Sequence, residues 1–124
     1  MQDRERDKSE FNMAVSYLNR INYSFYIANE ASRLNNAHAW FMELNILYRE
    51  LSTELNEDEI KEFDKMFSDV SPEVSHCLKL SKKGMNQIPQ NTFKKLSDIE
   101  LKLRETMKKS GLQHKVKDDP RFAL

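Results

Sequence analysis

The sequence predicts an all-α protein, a helical bundle of four or five helices with a short C-terminal tail. Three observations carry that expectation. Only two glycines and three prolines punctuate 124 residues, whereas strands need frequent turns built on such residues. Apolar side chains recur at helical spacing in most of the chain between residues 9 and 111. Hydrophobic residues make up 39% and charged residues 32%, a balance that supports a packed core and is too apolar for a disordered chain. The length suits one domain, divided here into a charged arm at 1–8, a helical bundle at 9–111 and a tail at 112–124.

The first helix is expected over Ser9–Leu34, with Ser9 able to accept from the free N–H groups of the first turn. Phe11, Ala14, Val15, Tyr17, Leu18, Ile21, Phe25 and Ala28 fall on one broad face. A second apolar set, Met13, Tyr23, Ile27, Ala31 and Leu34, lies on the other side. A helix apolar on two sides is either central in its bundle or in contact with a second molecule. Asn35-Asn36 ends the pattern, and Asn36 is placed to cap the next helix. From Ala37 to Leu55 the residues Ala37, Trp40, Phe41, Leu44, Leu47, Tyr48, Leu51 and Leu55 form a single-sided stripe, with Met42 and Ile46 off it.

Asn56 precedes Glu57, Asp58 and Glu59, three carboxylates in a first turn, where the helix dipole favours negative charge. Ile60, Phe63, Phe67 and Val70 continue at helical spacing. Ser71-Pro72-Glu73 reads either as a fresh helix start, with serine as cap and proline at the first position, or as a kink within one helix. Val74, Cys77 and Leu78 make the next inner face, and Gly84 is placed to terminate it. The last helix is expected from Pro89–Thr92 to about Ser110, with an inner stripe of Phe93, Leu96, Ile99, Leu103 and Met107. No internal repeat of solenoid length is visible.

The formal net charge is zero, yet the charge is unevenly distributed. Residues 41–70 hold nine acidic and three basic side chains, and residues 71–124 hold twelve basic and six acidic. Residues 11–48 hold eight of the twelve aromatics and few charges. Cys77 is the only cysteine, which excludes an internal disulfide framework and a multi-thiolate zinc site. The opening residues are charged, without the apolar run of a signal peptide. With no apolar stretch of ~18 residues to cross a bilayer, a cytoplasmic protein is expected.

Several short patterns invite chemistry. Arg33-Leu-Asn-Asn-Ala-His38 has the Arg-x4-His spacing of the HEPN ribonucleases, a helical superfamily that this chain resembles in size and class. That resemblance implies an arginine and a histidine acting on an RNA phosphodiester at a dimer cleft. The chain departs from the pattern at Leu34, where the family usually has a polar residue. Glu73-Val-Ser-His76 is one copy of the Glu-x-x-His element of di-iron bundles, which require two copies and two further carboxylates. No Ser/His/Asp order, phosphate loop or HExxH pattern is present. No catalytic set, metal or cofactor is therefore expected.

Two partner signals remain. The apolar residues left over from the core, Met13, Tyr23, Ile27, Ala31, Leu34, Met42 and Ile46, would together form a patch of interface size. They predict a non-catalytic interaction or structural module that self-associates. In size and style the chain is similar to the small helical accessory proteins of viral and phage genomes, a likeness that no motif carries. The alternative is nucleic-acid binding, with Lys94, Lys95, Lys102, Arg104, Lys108 and Lys109 of the basic C-terminal helix neutralising phosphates. Asp98, Glu100 and Glu105 lie on the same helix, the arrangement of an ordinary solvated face.

Overall fold

The computed structural model describes the backbone of residues 2–109 and the side chains of residues 15–109. The expected tail at 112–124, with His114, Phe122 and Leu124, lies outside the described residues. Among the described residues the chain is an all-α bundle of four helices: α1 (Gln2–Arg33), α2 (Ala37–Leu51), α3 (Glu57–Ser81) and α4 (Gln90–Lys109). A single 3-10 turn, Ser52–Glu54, follows α2.

The helix ends are set by local hydrogen bonding. At the α1–α2 turn, Asn35 takes a left-handed φ of +57°. Its N–H reaches Ser32 O, and the N–H of Asn36 reaches Ala31 O at 2.8 Å. This is the paired-bond termination that usually recruits glycine, here made by an asparagine that tolerates the left-handed region. Asn36 then turns to its second task, its side chain accepting from Ala39 N at 3.0 Å to cap α2. Gly84 ends α3 in the same way at φ +82°, with Gly84 N to Ser81 O and Met85 N to Leu80 O. Asn56 and Glu59 form a reciprocal capping box that opens α3.

Neighbouring helices run in alternating directions. Tyr17 donates to the carbonyl of Glu50 and Arg20 pairs with the Glu50 carboxylate, so α1 and α2 are antiparallel about the short turn. Tyr48 packs on Phe63, and Phe41 packs edge-on to Phe67, which makes α2 and α3 antiparallel. Glu73 with Lys95, and Glu62 with Lys102, fix α3 against α4. The helix at the centre is α2, which packs on α1, α3 and α4. Its enclosed stripe is Ala37, Trp40, Leu44, Leu47 and Leu51, five of the eight residues that the sequence predicts; Phe41, Tyr48 and, beyond the helix, Leu55 are partly buried against the core.

Two boundaries differ from the sequence reading, the start of α1 and the end of α2. Helix α1 starts at Gln2 instead of Ser9, so the helix takes in residues 2–8. Helix α2 ends at Leu51, with the 3-10 turn replacing the last turn expected up to Leu55. Helix α4 begins at Gln90, within the Pro89–Thr92 start that the sequence predicts, and is described to Lys109. Pro72 does not divide the chain: α3 runs unbroken through it. Proline lacks the N–H that would bond Ser68 O, and both residues face solvent, where water can serve that carbonyl. The inner residues Phe63, Phe67, Val70, Val74 and Cys77 keep an uninterrupted spacing across the proline.

Because Pro72 sits in a helix interior on the solvent side, restoring the backbone donor should stabilise the fold. Pro72→Ala is expected to gain about 1–3 kcal/mol, seen as a higher midpoint in thermal or urea unfolding; a lower midpoint would mean that the proline is needed where it stands.

Candidate functional site: the outer face of the α1–α2 hairpin

Helix α1 lies at the edge of the bundle. Leu18, Ile21, Phe25 and Ala28 enter the core, and Val15 and Tyr17 pack partly against it. On the opposite side the apolar character continues into solvent. Tyr23 is 65% exposed, Tyr26 59% and Leu34 67%. On α2, Met42 and Ile46 are also exposed, at 48% and 44%. The Arg20–Glu50 ion pair bridges the two helices at 3.0 Å. Ile46 and Met42 lie four and eight residues before Glu50, on the solvent side of α2. The outer face of this hairpin therefore carries large apolar side chains from both helices.

Of the seven residues that the sequence assigns to an interface, Tyr23, Leu34, Met42 and Ile46 are exposed and Ile27 is half-buried. Met13 lies outside the described side chains. Ala31 is corrected: it is 7% exposed and belongs to the core. Its helical angle places it between the inner face and the outer one, and at the tight α1–α2 turn the backbones come close enough to enclose a methyl group. Tyr26 was missed by the pattern. Its ring stacks against Tyr23, with centroids 6.5 Å apart and planes at 28°, so two tyrosines present one continuous surface. Tyrosine gives such a face apolar area with little entropy to lose on ordering.

The basic residues of α4 are divided among separate tasks. Lys95 pairs with Glu73, while Lys102 pairs with Glu62 and lies over the Phe63 ring. Arg104 reaches Glu100 at 3.5 Å, and its guanidinium lies 4.3 Å from the Phe25 ring centroid. Lys94, Lys108 and Lys109 are exposed. Three of the six cations predicted for nucleic acid thus tie α4 to α1 and α3. Glu100 also accepts from the indole N–H of the buried Trp40 at 3.1 Å. The basic set is accordingly not one uninterrupted stripe.

The remaining motifs are also placed. Arg33 is the last residue of α1, its guanidinium bonded to Glu30 at 2.8 Å, which raises its pKa. His38, in the first turn of α2, lines a cavity of about 230 Å³ at the bundle end with Asn36, Cys77, Ser81 and Asn86; Arg33 is not among its walls. Burial, and next the nearby Glu73 charge, push the Cys77 thiol up, away from the reactive thiolate. Glu73 is engaged by Lys95 and by the Thr92 hydroxyl at 3.0 Å, whereas His76 is exposed. Among the described residues no group of three or more His, Cys, Asp or Glu could hold a metal ion. None of the described helices is long and apolar enough to cross a membrane.

In comparison with known proteins, the chain matches no protein family, no curated protein and no solved structure.

The Lys95 hydrogen bond, assisted by Thr92, holds the Glu73 carboxyl below its ordinary value of 4.5. A depressed folded-state pKa contributes stability that is present above the unfolded value and is lost as pH falls through the folded one. Unfolding titrations should therefore show stability falling as pH drops below about 4.5, and Glu73→Gln should flatten that part of the acid limb. An acid limb of the same depth in the variant would mean that the α3–α4 ion pair contributes nothing there.

Proposed function

We propose that this protein is a non-catalytic helical interaction module that self-associates through the outer face of its α1–α2 hairpin. The observation that carries the reading is the exposure of Tyr23, Tyr26, Leu34, Met42 and Ile46 on one hairpin, with Ile27 half-buried among them. Single exposed apolar residues are ordinary on a soluble protein, but a contiguous patch of several hundred Å² marks a contact surface. A cytoplasmic setting and a place among small viral or phage accessory proteins are compatible with this reading.

The test is the mass of the protein in solution as concentration rises, by light scattering. The native chain should show reversible growth beyond the monomer. Ile46→Glu, a charge placed on an exposed position, should hold the protein at monomer mass while its helical circular dichroism and melting midpoint stay unchanged. A native chain that remains monomeric at high micromolar concentration would overturn self-association.

A further inference from the structure

The exposed side of α1 carries a pattern that constrains what can cover it. Ser16, Arg20, Tyr23, Ile27, Glu30 and Leu34 follow one another at spacings of four, three, four, three and four residues. All six reach solvent, fully or in part. Leu34 stays in helical register, because its N–H bonds Glu30 O at 3.0 Å. Steps of four and three can be traced along any helix. Here the seam is marked by its occupants, Tyr23, Ile27 and Leu34 with Arg20 and Glu30 between and beside them, which give it an apolar middle and two opposite charges along which a second helix can lie. The seam spans roughly 27 Å at ~1.5 Å per residue.

Such a line is symmetric in spacing about its midpoint, here position 25, so what decides the pairing is which residues stand at equal distances from it. Tyr23 and Ile27 lie two residues to either side, Arg20 and Glu30 five, and Ser16 and Leu34 nine. A two-fold contact is isologous, so residue i meets residue j and j meets i. An antiparallel pairing centred there places Tyr23 on the partner's Ile27 and Arg20 opposite the partner's Glu30, each twice. A parallel pairing would instead set Arg20 against the partner's Arg20 and Glu30 against the partner's Glu30, like charges at both levels. Polar residues within a seam cost stability but select register and orientation. Arg20 and Glu30 already hold Glu50 and Arg33 within the chain. The side chain of Arg20 is 60% exposed, which leaves donors free for another carboxylate.

Resting on the self-association reading above, we infer that the occupant of this face is a second copy of the chain, with α1 packed antiparallel on α1 about a two-fold axis near residue 25. Met42 and Ile46 of α2 flank the seam and widen it. The apolar residues of this face, Tyr23, Ile27 and Leu34 with Tyr26, Met42 and Ile46, are far fewer than the roughly 20–30 residues a side of a standard stable interface, so the association is reversible and depends on the charge register.

Sedimentation and native mass spectrometry test this on the native chain, the single variants Arg20→Glu and Glu30→Arg, and the double variant that combines them. In either variant alone, antiparallel pairing meets like charges twice, and self-association should weaken by roughly tenfold or more. In an equal mixture every opposed pair is opposite in sign, so the two variants should form a one-to-one heterodimer. The double variant Arg20→Glu with Glu30→Arg should regain self-association in one chain, which separates register from damage to either monomer. Variants that dimerise like the native chain, or that weaken without recovering in the mixture and in the double variant, would overturn the antiparallel register. If Ile46→Glu still abolishes self-association in that case, the hairpin face remains the docking surface. A native chain that stays monomeric at high micromolar concentration would remove both readings together.

Discussion

The structure depends on α2 occupying the centre of the bundle. A helix of 15 residues with a single apolar stripe encloses Trp40, Leu44, Leu47 and Leu51, and the other three helices take positions around it. The consequence falls on α1. It is the longest helix, at 32 residues, and it is covered on one side only. Opposite the side chains it gives to the core, from Leu18 to Ala31, Tyr23, Tyr26 and Leu34 stand exposed. Burial of apolar area is roughly additive and has no preferred direction. A second apolar face is therefore a standing incentive for association, opposed by the loss of translational and rotational freedom.

The same packing explains why the basic helix is less available than its composition suggests. Lysine and arginine stems lie along apolar surface while their charged ends seek partners. On α4 those partners are Glu73, Glu62 and Glu100, and the stacking surfaces are Phe63 and Phe25. Glu100 is the most constrained of the three, joined to the Trp40 indole on one side and to Arg104 on the other. Hydrogen bonds to a charged group are worth about 1.5–3 kcal/mol, and this one orients the largest side chain in the core. The acidic block (41–70) and the basic block (71–124) meet inside one subunit through Glu62 and Lys102, while Glu73 and Glu100 are acidic partners from within the basic block.

Much of this was legible in the sequence. The stripe of α2, the caps at Asn36 and Asn56 and the terminating Gly84 are local signals, and each acts in the structure as its chemistry predicts. Pro72 was ambiguous because its local signal fits a helix start as well as a kink. The spacing of Phe67, Val70, Val74 and Cys77 on either side of it resolves the matter, since one continuous face needs one continuous helix. Residues at the margin of a face were harder to place. Ala31 is small enough to be enclosed near the tight turn, and Phe93 stands half-exposed with its ring edge-on to Trp40 at 5.1 Å. Tyr26 escaped notice because it belongs to neither apolar stripe; only its stacking on Tyr23 joins it to the outer face.

The central claim is that α1 has two apolar faces, one inside the subunit and one against another molecule. The most direct measurement is a concentration series of amide chemical shifts in the native protein. Shifts and line broadening that grow with concentration and gather on Tyr23, Tyr26, Ile27, Leu34, Met42 and Ile46 are the expected result. Spectra that do not change with concentration, or changes centred on the lysines of α4, would contradict it.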